Sequence, residues 1–337
     1  MSEALDALSL ENIRACREDL GDSIVRTPVL QWRGEHGLTA DGADTWLKLE
    51  LFQRTGTFKA RGALNSVRHL SSEARRRGIT AVSAGNHAVA AAFAAQESGV
   101  SAKVVMIKTA NPARVERARG YGAEIVFADD VHDAFRRADS IVESEGRAMV
   151  HPFEGPHVAQ GAGTVGLELA EQVDDLDAVV IAIGGGGLCG GSAAAIKQLQ
   201  SRCKVFGVEP VGADSMRRSF EADAPVTLAS VSTIADSLAP PMALPFSFAA
   251  CRRYVDEIVT VTDDQIRAGM LVLFEDLKLA VEPAGAAATA AVLGPLRRRL
   301  AGQKIGIVVC GSIIDIDTFA GHIRQASQQP VRAHPVG

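Results

Sequence analysis

Cysteine is scarce in this sequence. Five cysteines are scattered over 337 residues, with no CxxC pair and no Cys/His spacing of the kind that holds zinc. A small disulfide-stabilised scaffold needs a dense and even set of cysteines. Both that class and the zinc fingers are therefore excluded.

An excess of positive charge is also missing. The chain has 35 Lys and Arg against 40 Asp and Glu, which gives a formal net charge of −5. Nothing in this balance suggests a nucleic-acid partner. With 47% hydrophobic and 22% charged residues the composition is that of an ordinary globular protein, so wholesale disorder is excluded.

Targeting and membrane signals are absent too. The first 14 residues carry charges where a signal peptide needs an apolar core, so we expect a cytoplasmic protein. One uncharged stretch, residues 178–196, is long enough to imitate a membrane span, but it contains six glycines, four of them consecutive. We interpret it as a buried strand, a glycine turn and the start of a helix, and expect no membrane association.

Short apolar runs alternate with longer amphipathic runs through most of the chain. The predicted strands cover residues 46–52, 80–83, 103–107, 124–127, 178–183, 204–208 and 304–309. The predicted helices cover residues 59–70, 87–97, 112–121, 131–145 and, after the glycine turn, a segment that ends at 199. Buried strands with intervening helices indicate an α/β fold with parallel sheets, and the length suits about two domains.

Four loops of unusual composition lie where a predicted strand meets a helix. They cover residues 55–59, 83–87, 184–188 and 310–315. Ligands of α/β proteins bind at the carboxyl ends of the strands, where such loops meet. These loops are therefore the candidate functional segments.

The glycine loop at 184–188 predicts an anion site, because consecutive glycines let backbone N–H groups turn inward before a helix. A phosphate is the expected guest. Gly185, Gly187 and Gly190 also satisfy G-x-G-x-x-G, and Glu209 ends the next strand as a ribose-binding acid should. A nicotinamide-dependent oxidoreductase therefore stays open as an alternative.

Lys59 favours a different chemistry. The chain has few lysines, yet this one stands in a loop of small and aromatic residues that opens a helix. Desolvation and the positive end of the helix dipole both favour its neutral amine. A neutral amine is what Schiff-base chemistry requires.

Two segments carry a family resemblance. Residues 49–63, LELFQRTGTFKARGA, resemble the signature around the cofactor lysine of fold-type II pyridoxal-phosphate enzymes. Residues 83–88, SAGNHA, resemble the next motif in the form typical of serine/threonine dehydratases (threonine ammonia-lyases), a family related to serine racemase. The glycine loop and residues 282–286, EPAGA, follow in the family order, and the resemblance covers roughly residues 10–325.

The resemblance implies a tryptophan-synthase-β-like fold of two domains, each an open, mainly parallel sheet flanked by helices. The large cofactor-binding domain would comprise residues 1–68 and 150–330, with a small α/β domain inserted at 69–149 and a tail at 331–337. A C-terminal regulatory domain would be missing. A homodimer is the expected assembly.

The resemblance also assigns roles to residues. Lys59 would bind pyridoxal 5′-phosphate covalently and act as the base on the substrate Cα. The other residues implied in cofactor binding are Phe58, Asn86, Gly184, Gly185, Gly186, Gly187, Leu188, Glu282 and Cys310. The residues implied in binding the substrate carboxylate are Ser83, Gly85, Asn86 and His87.

A divalent cation, Mg²⁺ or Ca²⁺, is held by some relatives. The corresponding site here would lie at Glu209 and Ala213. Ser215 stands where the second acid of that site would be, with Asp214 beside it. We therefore treat this site as uncertain.

The predicted function is a pyridoxal-phosphate-dependent ammonia-lyase that converts L-threonine, L-serine or a related β-hydroxy amino acid to a 2-oxo acid and ammonia. An amino-acid racemase on the same fold is the nearest alternative, although Ala84 stands where the racemases of this family have a serine. A non-catalytic amino-acid-binding protein is a further alternative, against which Lys59 argues. The loops at 161–164, 235–238 and 311–313 depart from the family pattern, so the preferred side chain stays open.

Overall fold

The computed structural model describes residues 5–33, 42–83 and 85–328. Ala84 and the predicted tail at 331–337 lie outside these ranges. The strands, in chain order, are β1 (Val29–Trp32), β2 (Asp44–Leu49), β3 (Ile79–Val82), β4 (Ala102–Ile107), β5 (Glu124–Ala128), β6 (Ala148–Met149), β7 (Ala178–Ala182), β8 (Lys204–Pro210), β9 (Glu257–Val261) and β10 (Lys304–Val309).

The helices, in chain order, are α1 (Leu10–Leu20), α2 (Lys59–Arg68), α3 (Ser72–Arg77), α4 (Asn86–Glu97), α5 (Pro112–Gly120), α6 (Val131–Glu145), α7 (Pro156–Gln172), α8 (Gly187–Leu199), α9 (Ser215–Ala222), α10 (Pro245–Tyr254), α11 (Asp263–Leu277), α12 (Pro283–Leu293) and α13 (Ile316–Gln328). Across the described ranges, none of them combines the length and the apolar character that a bilayer crossing requires.

Two sheets organise the strands. The larger has the order β1-β2-β10-β7-β8-β9, in which only the β1–β2 pair is antiparallel. The smaller has the order β5-β4-β3-β6 and is parallel throughout. The central strand β7 is buried along its whole length, as expected for a sheet covered by helices on both faces.

The predicted α/β fold class is confirmed by these two mainly parallel sheets and their flanking helices. The smaller sheet is built from residues 79–149 and the larger from strands on either side of that segment. The domain boundaries at 68 and 150 stay a prediction.

Helices α2, α7 and α8 meet through their main chains. A Cβ added at Gly62 would lie 2.8 Å from the Val158 carbonyl oxygen, and one at Gly161 would lie 2.5 Å from the Arg61 carbonyl oxygen. On the other side of α7, a Cβ at Gly191 would overlap the Ala159 carbonyl. Only glycine permits such close approach, so α7 joins the helix that begins at Lys59 to the helix that follows the glycine loop.

A fully buried charge network lies behind this junction. Arg61 contacts Glu50 at 2.8 Å and Glu168 at 2.7 Å, and Lys48 contacts Glu168 at 2.6 Å. All four side chains are at most 1% exposed. Buried charges of this kind are tolerated only when each is paired and hydrogen-bonded, so the network fixes how β2, α2 and α7 fit together.

Candidate active site

A cavity of about 250 Å³ opens at the carboxyl ends of β3, β7 and β10. The structure brings to its wall every residue predicted to bind cofactor or substrate, namely Phe58, Lys59, Ser83, Gly85, Asn86, His87, Gly184, Gly185, Gly186, Gly187, Leu188, Glu282 and Cys310. Their roles stay predictions. Glu209 and Ala213 are not among the lining residues.

Lys59 begins α2 and turns its side chain into this cavity. Its Nζ donates to the Pro152 carbonyl oxygen at 3.0 Å. Burial lowers the pKa of the amine to about 8, while Cys310 and Glu282 act in the opposite direction. A substantial fraction of the amine is therefore neutral near physiological pH, the form that reacts with a carbonyl carbon.

The glycine loop forms a cradle of main chain. Gly186 has a φ of 96°, which suits glycine, and α8 begins at Gly187. A Cβ at Gly184 would lie 2.9 Å from the Ser237 carbonyl oxygen, and one at Gly187 would lie 2.5 Å from the Phe153 carbonyl oxygen. The first N–H groups of a helix lack acceptors within it, so this cradle fits an anionic phosphate group.

Asn86 and Glu282 face each other across the cavity wall. Asn86 Nδ2 donates to Glu282 Oε1 at 2.5 Å and to Ser237 Oγ at 3.3 Å. Asn86 Oδ1 and Glu282 Oε2 are buried without a hydrogen-bond partner. Burial raises the pKa of Glu282 to about 7, against the lowering effect of Arg114. Two orphaned polar atoms beside a reactive lysine fit a site whose bound polar group completes the network.

Cys310 follows the end of β10. Its thiol donates to the Ala284 carbonyl oxygen at 3.3 Å, and burial raises its pKa well above the ordinary value. The group is therefore an uncharged thiol at neutral pH. A thiol is a weak hydrogen-bond partner and does not hold a proton on a ring nitrogen as a carboxylate would.

His87 is neutral. Burial lowers its pKa to about 3, and its Nε2 lies 2.8 Å from the Val150 carbonyl oxygen. Since a carbonyl oxygen only accepts, Nε2 carries the proton and Nδ1 is an acceptor. The ring thus joins α4 to the end of the smaller sheet, and the N–H groups at the start of α4 are the donors available to a carboxylate.

The site includes residues beyond those predicted to bind cofactor or substrate. Phe153, Asp236 and Ser237 line the cavity as well. Arg114 stands behind the wall, 2.5 Å from Asp236 Oδ2 and 3.1 Å from the Ile313 carbonyl oxygen. The departure at 235–238 pointed to part of this group, whereas nothing marks Arg114 among the other arginines of the chain.

The expected cation site does not form in the described part of the chain. Both oxygens of Glu209 accept backbone N–H groups, from Met216 at 2.9 Å and Arg217 at 2.8 Å. Asp214 instead pairs with the side chains of Arg217 and Arg218. Glu209 is therefore a helix cap, and the described residues supply no cluster of three or more His, Cys, Asp or Glu ligands. Glu209 also does not line the cavity, so it is not placed to bind the ribose of a nucleotide there.

The fold and this cavity define an α/β enzyme with a reactive lysine beside a phosphate cradle. A family profile described as pyridoxal-phosphate-dependent enzyme matches residues 20–311. The chain belongs to this family. The cradle, the lysine and the orphaned polar atoms fit the cofactor, whose phosphate Gly184–187 and Leu188 would hold.

Known relatives share most of the chain. A phenylserine dehydratase of Ralstonia pickettii is 52% identical over 276 residues, 82% of this chain and 85% of the relative. An L-threonine ammonia-lyase of Thermotoga maritima is 38% identical over 311 residues, 92% of this chain and 77% of the relative. The structure of maize serine racemase matches with a TM-score of 0.87 at 33% identity, covering 95% of this chain and 98% of that one. The predicted membership of the fold-type II dehydratase family, and with it the predicted enzyme class, is confirmed.

Proposed function

We propose that this protein is an ammonia-lyase that eliminates water from an L-β-hydroxy amino acid and releases a 2-oxo acid and ammonia. The observation that carries the proposal is the Lys59 amine, with its pKa lowered to about 8, in one cavity with the glycine cradle. Pyridoxal phosphate, when bound, supplies an electron sink that makes the Cα proton of an amino acid removable.

Lys59 has two tasks in this proposal. It would hold the cofactor through its amine, and the same amine would accept the Cα proton as a general base. A base works best with a pKa near the operating pH, which the burial of Lys59 provides. The Ser83–Gly85–Asn86–His87 segment binds the substrate carboxylate at the start of α4.

Cys310 bears on the choice of reaction. Its uncharged thiol would offer the ring nitrogen of the cofactor a weak partner and no charge, which would leave the cofactor a weaker electron sink. This arrangement favours rapid loss of a β-substituent over reactions that need a long-lived carbanion. It therefore supports elimination.

A serine racemase is the second candidate, since one similar structure carries that name. Racemisation needs a proton carrier on each face of Cα, and Lys59 serves only one of them. The racemases of the family use a serine at the position of Ala84, which lies outside the described residues. A methyl group neither donates nor accepts a proton, so we infer that racemisation is slow.

The test is to incubate the purified enzyme, loaded with pyridoxal phosphate, with L-serine and L-threonine. We expect 2-oxo acid and ammonia in equal amounts, with D-serine on chiral chromatography appearing far more slowly. D-serine that forms as fast as pyruvate would overturn the lyase in favour of the racemase. Ala84→Ser should raise racemisation.

The remaining assignments belong to the same proposal. The large and small domains divide at residues 68 and 150, the enzyme is a cytoplasmic homodimer, and its partner is a small amino-acid substrate with no nucleic acid. The homodimer rests on the family resemblance, and the exposed side chains of Phe52, Phe135 and Ile316 (51%, 53% and 85%) are available to such a contact.

A further inference from the structure

We propose that Asp236 masks Arg114, and that this ion pair restricts the enzyme to β-hydroxy amino acids with an uncharged side chain. The inference rests on the proposed function and names its substrate class. It makes Asp236 a specificity-determining residue.

Arg114 reaches the cavity from α5, on the side of the smaller sheet. Its Nη1 lies 2.5 Å from Asp236 Oδ2, and its Nη2 lies 3.6 Å from Glu282 Oε2. A Cβ at Gly85 would lie 3.6 Å from Nη1. Gly85, Asp236 and Glu282 all line the cavity, so the guanidinium stands directly behind its wall. The side chain is only 10% exposed.

A guanidinium is the protein group that binds a carboxylate best, because its planar fork matches two oxygens. A substrate with a second carboxylate, such as 3-hydroxyaspartate, needs a cation of this kind. Arg114 already contacts a carboxylate, and the Asp236 side chain is 59% exposed. Asp236 therefore occupies the position that the second carboxylate of such a substrate would need.

The rest of the wall agrees with this restriction. Apart from Lys59, the charged residues among those that line the cavity in the described ranges are Asp236 and Glu282. A second substrate carboxylate would face both acids. Phe58, Phe153 and Leu238 offer apolar surface in the same wall, which suits a neutral side chain.

The test compares kcat/KM for L-threonine and L-threo-3-hydroxyaspartate, followed as 2-oxo acid release. We expect the wild type to prefer threonine at least tenfold. Asp236→Asn should shift the ratio at least tenfold toward hydroxyaspartate, because it removes the carboxylate that is hydrogen-bonded to Arg114 Nη1. The shift should vanish when Asp236→Asn is combined with Arg114→Met. A shift caused merely by a loosened loop would persist in this double variant.

A matched control is Asp223→Asn. Asp223 pairs with Arg252 at 3.2 Å on the surface, and both side chains are more than half exposed. The same change of charge at this pair should leave the substrate ratio unaltered. A shift of similar size at Asp223 would attribute the effect to net charge and overturn the mask.

A binding measurement separates the mask from the reaction. Succinate carries a second carboxylate where butyrate has a methyl group. The dissociation constant of each is measured by titrating it into the cofactor-loaded enzyme. Tighter binding of succinate to Asp236→Asn than to wild type, at least tenfold and lost without Arg114, supports the mask even if no β-hydroxy amino acid reacts. Succinate binding that is equal in wild type and Asp236→Asn would overturn the mask. So would a wild-type enzyme with the same kcat/KM for hydroxyaspartate and threonine, and either result would leave the lyase assignment intact.

Discussion

Lys59 is the residue whose ionisation sets when the site becomes reactive. Its pKa is lowered from 10.5 to about 8 because burial disfavours the charged amine. The neutral fraction therefore grows as the pH rises through about 8 and is nearly complete above 9. His87, with a pKa of about 3, stays neutral over the same interval and adds no second titration.

We expect capture of pyridoxal phosphate by the cofactor-free protein to accelerate with pH, with a midpoint near 8 and a plateau above about 9, because only the neutral Lys59 amine reacts. Stopped-flow absorbance of the bound cofactor measures the rate. Lys59→Ala is the control and should show no covalent capture. A midpoint near 10, or borohydride labelling of another lysine on peptide mapping, would contradict the assignment.

Cys310 gives a second prediction at this scale. Cys310→Ser should keep much of the activity, because a hydroxyl offers the same single hydrogen bond. Cys310→Asp should place a negative charge beside the ring nitrogen and increase side reactions such as transamination, measured as released pyridoxamine phosphate. If both variants lost cofactor and activity equally, Cys310 would be a packing residue only.

Among the structural elements, the start of α8 has no room for an added methyl group. Gly187→Ala would place a Cβ 2.5 Å from the Phe153 carbonyl oxygen and force the cradle to move. We expect cofactor affinity to fall at least tenfold on absorbance titration. Gly321→Ala on α13, where nothing lies within 4 Å, is the control. It should leave affinity unchanged and stabilise the helix by about 0.5–1 kcal/mol.

The charge network behind α2 has a predicted cost of disruption. Arg61→Met would leave the carboxylates of Glu50 and Glu168 buried with only Lys48 as a cation, so the free energy of unfolding should fall by about 3–5 kcal/mol. Arg299→Met removes an exposed arginine from its pair with Glu257 and should cost at most about 1 kcal/mol. Urea denaturation of the cofactor-free variants measures both. If Arg61→Met and Arg299→Met lowered the free energy of unfolding equally, the burial of the Arg61 network would not contribute to stability.

The elements that were predictable from the sequence are those with a clear period or a flanking signal. The helix at 131–145 and the strand at 304–309 agree with α6 and β10. The strand predicted at 46–52 ends at Leu49 instead, because Glu50–Phe52 turns into a 3-10 helix that brings Glu50 to Arg61. The antiparallel edge strand β1 is too short to stand out, and the glycines of α7 hide its helical period.

The residues of the site likewise fall into those that were predictable from the sequence and those that were not. The residues in contiguous motifs, from Phe58 to Cys310, were predictable because each motif carries its own chemistry in a few adjacent positions. Arg114 and Asp236 belong to segments 122 residues apart that meet only when the two sheets face each other. No local pattern encodes that meeting, so the pair emerges from tertiary packing alone.

At the scale of the whole molecule, α5 joins the two sheets beside the cavity. Asn111 donates to Asp315 at 2.7 Å, just before the Arg114 contacts, and the Tyr121 hydroxyl donates to the Arg54 carbonyl oxygen at 3.3 Å beyond them. These contacts and the Arg114–Asp236 pair join the smaller-sheet segment to the rest of the chain, and residues of both segments line the cavity. An isolated half would lack a complete cavity.

The proposed assembly yields a prediction of mass. Light scattering of the purified protein at micromolar concentration should give twice the chain mass of 35.4 kDa, because a second copy would cover exposed apolar side chains such as Phe52 and Ile316. The measurement is repeated over a tenfold dilution as its control. A single-chain mass throughout would contradict the homodimer and leave the cavity assignments untouched.

The backbone contacts among α2, α7 and α8 have a mechanical consequence. Glycine offers no side chain that could reorient, so these helices behave as one stiff body. Lys59 begins α2 and Gly187 begins α8, so both belong to that body. The distance between the start of α2 and the glycine cradle is therefore fixed. A planar ligand anchored at both ends tolerates little error in such a span. A displacement of the smaller sheet would then change access to the cavity without altering that distance.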